Sequence, residues 1–173
     1  FFVRGMGLSG RADVLPVTIS ERLIEGHNLK PGATLCALGQ FRSYNKLEGG
    51  RSRLMLTVFV RELLSAAPTA NPNSIVLSGY ICKQPIYRTT PFNREIADLL
   101  LAVNRAYNKS DYIPCIAWGR NARFVQNLKV GDRVALSGRI QSREYVKKLS
   151  DTEQVTMTAY EVSVSKLAAF DED

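Results

Sequence analysis

The sequence predicts an all-β protein in which one β-rich unit occurs twice. Three short runs recur in the same order along the 173 residues: 13–19 is similar to 111–117, 29–32 to 128–131, and 39–43 to 138–142. The offset is 98 positions for the first pair and 99 for the other two. The second copy therefore has one additional residue between its first and second matching runs. Self-similarity at such a period indicates two copies of one structural unit.

The second copy shows the elements most clearly. Its apolar and β-branched runs predict five strands, which lie at residues 74–82, 96–103, 112–118, 133–145 and 155–167. The connection at 83–94 contains Pro85 and Pro91 and indicates a hairpin loop. Asn121 is expected to cap a short helix that ends near Leu128, between the third and fourth strands. The order is three strands, a short helix and two strands.

The first copy follows the same order but begins late. Phe1 aligns with Leu99, in the middle of the second predicted strand of the other copy, so residues 74–98 have no counterpart. A five-stranded barrel without its first strand exposes an edge and part of its core. We therefore expect the first barrel to be incomplete at its N-terminus in this chain, and the natural protein to be longer.

Composition shifts divide the chain. The segment 65–73 is rich in proline, asparagine and small residues, which marks a linker. The expected division is a first unit at 1–64, the linker at 65–73, a second unit at 74–167 and an acidic tail at 168–173.

The charge balance favours a polyanionic partner. The chain carries 23 lysines and arginines against 16 aspartates and glutamates, a formal net charge of +7. Such an excess favours nucleic acid. An acidic membrane is the other polyanion, but no apolar run approaches the roughly 18 residues that a spanning helix needs.

Catalytic and metal-binding signatures are absent from the sequence. Cys36, Cys82 and Cys115 lie singly in apolar runs, which predicts buried thiols in a reducing, cytoplasmic compartment. His27 is the only histidine, so the sequence has too few histidines for a histidine-based metal cluster and offers little basis for a catalytic Cys–His pair. No phosphate-binding glycine loop, zinc-protease motif or nucleophile elbow occurs. We expect a protein that is not an enzyme and holds no metal or cofactor.

Aromatic and basic side chains share the polar face of two predicted strands. Because strand residues two apart point the same way, Tyr112 and Trp118 share a face of the third strand. One face of the fourth strand carries Arg139, Gln141, Arg143 and Tyr145. Its other face carries the core-like Val134, Leu136 and Ile140. Aromatics beside arginines can stack on unpaired bases while the guanidinium groups contact phosphates.

Further side chains extend this surface. Tyr87 in the hairpin and Tyr107 in a polar loop are weaker aromatic candidates. The expected phosphate contacts are Arg88, Arg120, Arg123, Arg139, Arg143, Lys147 and Lys148. The alternative for any single strand aromatic is ordinary packing, and for Lys147 and Lys148 it is a solvated hairpin tip.

These motifs resemble the bacterial single-stranded-DNA-binding protein family, whose domain is an OB-fold. The matching runs are residues 75–79, 84–85, 87–91, 100–105, 111–114, 118–119, 128–132 and 138–145. The resemblance covers about residues 74–167, and the two units together resemble the tandem-OB members from Firmicutes-type bacteria. It implies two five-stranded OB barrels in tandem, each with a short helix between its third and fourth strands.

The resemblance also implies a function. Family members bind single-stranded DNA with little sequence preference in replication, repair or recombination, and the DNA-contacting aromatics fall on Tyr107, Tyr112, Trp118 and Tyr145. Arg105 lies in one of the matching runs and joins the candidates. The family assembles four OB units, so two per chain imply a homodimer, with replication or repair proteins as further partners.

The first unit departs from this pattern. Val14, Ser20 and Lys46 stand where the second unit has its stacking aromatics, so we expect the first unit to be mainly architectural. Two alternatives stay open: a protein-interaction OB module of a replication-restart assembly, and an RNA-binding OB protein, because a stacking surface alone does not separate RNA from DNA.

Overall fold

The computed structural model describes residues 2–6, 12–65 and 73–170. The first unit contains β1 (Phe2–Met6), β2 (Ala12–Thr18), α1 (Glu21–Ile24), β3 (Cys36–Glu48) and β4 (Arg51–Leu64). The second contains β5 (Ile75–Ile81), β6 (Ile86–Thr89), β7 (Glu95–Arg105), β8 (Lys109–Trp118), α2 (Arg120–Val125), β9 (Arg133–Lys148) and β10 (Gln154–Phe170). A single 3-10 turn at Ala106–Asn108 joins β7 to β8.

Five strands of the second unit form a ring. Strand β5 pairs with β9, β9 with β10, β10 with β8, β8 with β7, and β7 returns to β5. All these pairings are antiparallel except that of β8 with β10, where Cys115 lies opposite Val162. Closure of this kind leaves the ring without a free edge. The prediction of an all-β, five-stranded OB unit with a helix between its third and fourth strands is confirmed.

The first unit has the same pairing pattern but stays open. Its sheet order is β1-β2-β4-β3, with β2 and β4 parallel as β8 and β10 are. Within the described residues no strand takes the place that β5 has in the second unit. As a result Leu15 of β2 is only partly buried, whereas its counterpart Ile113 is 0% exposed.

The apolar core is continuous between the two units. Most of its members are the inward-facing side chains of the ring, such as Leu101, Ile113 and Val134, which are fully buried. Phe41 and Leu56 of the first unit belong to the same cluster. Burial of this shared apolar surface stabilises the association of the two units.

The two units meet along a seam, which we define as the contacts of β2 with β9 and of β3 with β8. The hydrogen bonds that backbone N–H groups donate across it are reciprocal. The backbone N–H of Ser43 donates to Asp111 Oδ1 at 2.9 Å, and the backbone N–H of Ser142 donates to Asp13 Oδ1 at 3.1 Å. Asp13 and Asp111 are equivalent positions of the repeat, as are Ser43 and Ser142. A pseudo-two-fold axis therefore relates the two sides of the seam.

The repeated glycine of the motif has a packing role in both units. Gly39 and Gly138 each lie opposite a β-bulge in the partner strand. A Cβ at Gly39 would collide with the carbonyl of Phe59, and one at Gly138 with the carbonyl of Ser163. The bulge brings the two backbones so close that only glycine fits.

Helix α2 begins differently from the sequence-based expectation. Asn121 is not its cap: the cap position is Gly119, with φ 55°, and it makes no side-chain capping bond. The Asn121 side chain instead donates to the backbone carbonyl of Ser165 at 3.3 Å. The helix ends at Val125, three residues before the expected end at Leu128.

Several boundaries also differ. The connection at 83–94 contains the short strand β6, which pairs with β7. Strand β10 runs to Phe170, opposite Arg133, so the last three of its residues belong to the sheet rather than to the expected tail. The remaining tail, 171–173, and the linker residues 66–72 lie outside the described residues. Asn73, placed in the linker, packs on the second unit through two hydrogen bonds with the backbone of Ile140.

The three cysteine thiols differ in burial, although all three were expected to be buried. All three cysteines are free, but only Cys115 is buried, while Cys36 and Cys82 are half-buried. No helix among the described residues is long and apolar enough to cross a membrane.

Candidate nucleic-acid interface

Trp118 lies at the end of β8 on the outer face of the ring. Its indole Nε1–H donates to the Ser163 hydroxyl on β10 at 3.1 Å, which fixes the orientation of the ring. The side chain borders a shallow cavity of about 430 Å³, lined also by Asn93, Arg94, Glu95 and Gly119. An oriented, partly exposed indole beside an open cavity can accept a planar ring.

Tyr87 and Arg123 meet at Glu95, next to Trp118. The Arg123 Nε atom lies 3.1 Å from Glu95 Oε2. Burial, followed by a hydrogen bond to the Glu95 carboxylate, raises the pKa of the Tyr87 phenol. Glu95 also lines the cavity beside Trp118, whereas the Tyr87 ring is partly buried against the core and lies on the other face of the strand register from Trp118.

Arg88 lies on the neighbouring edge strand β6. Its Nε atom forms an ion pair with Asp98 Oδ2 at 3.1 Å, and both side chains are exposed. Exposed pairs of this kind contribute about 0–1 kcal/mol, so the guanidinium remains available to another anion.

Tyr112 and Arg105 stand where the second unit meets the first. The backbone N–H of Tyr112 donates to the Ser43 hydroxyl at 2.8 Å, while its side chain projects outward. Arg105 Nε lies 2.8 Å from Asp111 Oδ2, and that carboxylate is only 3% exposed. Tyr107, with a positive φ of 63°, is almost fully exposed. Arg105 is thus held by a buried partner, whereas both tyrosine rings face solvent.

The strand β9 carries candidates in three different situations. Arg139 Nη1 forms an ion pair with Asp13 Oδ2 at 3.0 Å and so belongs to the seam. Arg143 Nε lies 3.3 Å from Glu161 Oε1 but is half exposed. Tyr145, farther along the strand, is partly exposed and projects from the ring.

Three further cations are exposed: Arg120 at the start of α2, and Lys147 and Lys148 near the β9–β10 hairpin tip. No ion pair involves any of them within 2–6, 12–65 and 73–170. In the same described part of the chain, no three His, Cys, Asp or Glu side chains gather as a metal site would require.

Sequence reasoning missed a cluster on the first unit. Arg42 of β3 stacks on the ring of Phe59 of β4, with 4.0 Å between its Cζ atom and the ring centroid. The repeat offered the signal, because Arg42 takes the position of Gln141 on the polar face of the equivalent strand. The first unit was interpreted from its lack of the second unit's aromatic residues, and Arg42 was therefore not predicted as a site residue.

A comparison with protein-family models shows to which family the chain belongs. The model described as the single-strand binding protein family matches residues 72–169. This chain belongs to the single-strand binding protein family. The resemblance inferred from the sequence motifs is confirmed.

Curated relatives of the family match the same region. Single-stranded DNA-binding protein 1 of Staphylococcus aureus (strain COL) is 40% identical over 80 residues, 42% of this chain and 48% of that protein. Single-stranded DNA-binding protein A of Bacillus subtilis (strain 168) is 39% identical over 80 residues, 42% of this chain and 46% of that protein. The chain spans about half the length of the curated relatives it matches.

A solved structure extends the likeness of fold to the first unit. It is a deletion mutant of the single-stranded DNA binding protein from Thermus aquaticus, with a TM-score of 0.73 and 19% sequence identity. The match covers 100% of this chain and 80% of the other. Both units therefore share their fold with that family member.

Proposed function

We propose that this chain binds single-stranded DNA with little sequence preference, without catalysis, during replication, repair or recombination. The observation that carries the proposal is the outward placement of three aromatics on one closed ring: Tyr112, Trp118 and Tyr145 are 43%, 36% and 38% exposed. The residues between Tyr112 and Trp118 that face inward, such as Ile113 and Cys115, are buried. Large rings left outside a complete core are available for bases.

Stacking supplies a sequence-tolerant contact. Every base has a π-face, and each base–aromatic stack is worth about 1–3 kcal/mol by substitution. Tyr107, which is almost fully exposed, adds a further ring, whereas Tyr87 is partly buried against the core and is the weaker candidate. A few such contacts hold a strand without reading its sequence.

The cations fall into two groups by their partners. Arg105 and Arg139 are tied to the poorly exposed carboxylates of Asp111 and Asp13, and releasing them would leave buried charges behind. We therefore assign these two first to structural ion pairs, that of Arg139 across the seam and that of Arg105 within the second unit beside it. Exposed or weakly paired cations are the better phosphate contacts: Arg88, Arg120, Arg123, Arg143, Lys147 and Lys148.

The assembly and setting follow from the same proposal. Two OB units per chain would give four in a homodimer, the number that the family resemblance implies. A protein that coats single-stranded DNA works where the chromosome lies, so we place it at the nucleoid in the cytoplasm. Replication or repair proteins are its expected partners there.

A titration of the full chain with oligo-dT, oligo-rU and duplex DNA at two salt concentrations tests the proposal. Trp118 is the only tryptophan, so its fluorescence reports on the proposed site directly. We expect oligo-dT to quench it and duplex DNA to bind far more weakly. The log–log salt slope should be about −0.7 per phosphate neutralised.

Two outcomes would favour the alternatives. A slope near zero, with no quenching, would overturn DNA binding and favour a protein-interaction module. Tighter binding of oligo-rU than of oligo-dT would favour an RNA-binding OB protein.

A further inference from the structure

Two guanidinium groups of the first unit share one neutral oxygen. Arg42 Nε and Nη2 donate to Gln40 Oε1 at 3.2 and 2.9 Å, and Arg61 Nη2 donates to the same oxygen at 3.3 Å. No carboxylate forms an ion pair with Arg42 or Arg61 in the described part of the chain. The positive charges of both guanidinium groups are therefore not neutralised by a neighbouring carboxylate, and the pair can bind an anion.

A third cation adds to this cluster from across the seam. Partial burial, followed by the positive charges of Arg105 and Arg61, lowers the pKa of Arg42, and only the Asp111 carboxylate acts against them. That carboxylate is already paired with Arg105. The local field at Arg42 is therefore positive.

The equivalent place in the second unit is built differently. There Gln141 takes the position of Arg42, and its side chain donates to the Glu161 carboxylate at 2.8 Å. Arg42 instead lies opposite Thr57 in the β3–β4 register, as Gln141 lies opposite Glu161 in the β9–β10 register. The first unit thus has a cation and a hydroxyl where the second has an amide and a carboxylate.

The stacking on Phe59 fixes the plane of the Arg42 guanidinium. A guanidinium fork held in one plane matches two oxygens of a phosphate. The outer face of the same plane can stack against a base.

The cluster lies next to the aromatic surface of the second unit. Ser43, the neighbour of Arg42, accepts the backbone N–H of Tyr112 at 2.8 Å. Arg42 itself points to the other face of β3, where it lies near enough to Arg105 and Asp111, the residue before Tyr112, for their charges to act on it. A single strand stacked on Tyr112 would therefore pass close to Arg42 as it crosses the seam. Exposed aromatic side chains beside a cationic cluster favour nucleic acid over an acidic protein as the ligand.

We propose that Arg42 and Arg61, held by Gln40 and Phe59, bind the phosphodiester backbone of a single strand that continues from Tyr112 across the seam onto the first unit. This inference rests on the proposed function and extends it. The first unit, expected from its sequence to be mainly architectural, then contributes a phosphate contact of its own.

The test compares two full-length double variants with the same loss of charge. R42Q/R61Q removes the cluster. R22Q/R51Q removes two exposed arginines of the same unit that form none of the hydrogen bonds of the cluster. Salt titrations use an oligo-dT of roughly 32 nucleotides, enough for two OB folds at the upper site size. The slope of R42Q/R61Q should be shallower than wild type by about 1.4. R22Q/R51Q should keep the wild-type slope.

The loss should depend on both salt and length. Between about 50 and 200 mM salt, the ratio of wild-type to R42Q/R61Q affinity should shrink about sevenfold, from the slope of about 0.7 per phosphate. With an oligo-dT of about 8 nucleotides, within the site-size range of a single OB fold, the two proteins should bind within about twofold of each other.

The melting temperature separates binding from stability. Because the substitutions relieve a like-charge contact while they remove the stacking of Arg42 on Phe59, the Tm of R42Q/R61Q should stay close to that of wild type. Were this variant unfolded, the single variant R61Q, at an exposed position, should still reduce the slope by about 0.7.

Failure of the two proposals can be told apart. If wild type itself does not bind oligo-dT, the proposed function is lost and this inference with it. If wild type binds but R42Q/R61Q and R22Q/R51Q have the same slope on the long oligonucleotide, only the phosphate contact at Arg42 and Arg61 is overturned.

Discussion

The Asp111 carboxylate accepts the backbone N–H of Ser43 on one oxygen, at 2.9 Å, although the two residues lie 68 positions apart. Its other oxygen lies 2.8 Å from Arg105 Nε. One buried carboxylate thus joins a strand of the first unit to a cation of the second. This makes Asp111 a structural residue, close to the proposed DNA surface but not part of it.

Asp111→Ala should destabilise the protein by about 3 kcal/mol, because it leaves Arg105 and the Ser43 N–H without their buried partner. The matched control is Asp98→Ala, which breaks the exposed pair with Arg88 and should cost less than about 1 kcal/mol. Urea unfolding of both variants measures the difference. Equal losses would show that the seam carboxylate contributes no more than a surface one.

Trp118→Ala should weaken oligo-dT binding by about 1–3 kcal/mol, because it removes one stacking ring. The comparison is Tyr44→Ala, since Tyr44 is a half-exposed aromatic on β3 of the first unit and does not belong to the aromatic surface of the second. Fluorescence anisotropy of a labelled oligonucleotide measures both, because the first variant loses the intrinsic signal. If folded Tyr44→Ala lost as much affinity, the surface of the second unit would not be the principal one.

Gly138→Ala should destabilise the fold by about 1–3 kcal/mol, the usual range for overpacking, because its Cβ would meet the Ser163 carbonyl opposite the bulge. Ser137→Ala, at the neighbouring position, is the control and should have little effect. Thermal unfolding followed by circular dichroism compares them. A Gly138→Ala variant as stable as wild type would mean that the β9–β10 bulge relaxes without strain.

Cys115 should resist alkylation in the native protein. It is buried, and burial raises the pKa of its thiol far above its ordinary value, so the reactive thiolate is not populated at pH 8. Half-buried Cys36 should react with iodoacetamide under the same conditions, and all three cysteines should react in denaturant. Peptide mass spectrometry gives the rates. Native labelling of Cys115 as fast as that of Cys36 would contradict the described packing.

The all-β class and the two units could be predicted because the period-two patterns are visible within each strand and the repeat is visible when the two halves of the sequence are compared. Strand β6 escaped prediction because it has four residues between Pro85 and the turn at Pro91, too few to show a pattern. The start of α2 escaped it because the Asn121 side chain bonds to Ser165, 44 positions away, instead of capping its own helix. Such a choice depends on tertiary contacts.

The candidate surface was only partly predictable for the same reason. The spacing of Tyr112 and Trp118 placed both on an outer face, and they lie there. The partner of Arg139 could not be inferred, because Asp13 is 126 positions away and meets it only when the units pack. Arg42 was passed over because its significance depends on Phe59 and Arg61, which come from the adjacent strand.

The reciprocal seam has a consequence for the behaviour of the chain at low concentration. Contacts in which each side supplies the same residues are isologous, the kind that two free copies of one unit make about a two-fold axis. Here both copies lie on one polypeptide, so their association is intramolecular and its strength does not depend on protein concentration. Dilution that would separate the subunits of an ordinary dimer leaves this pair together.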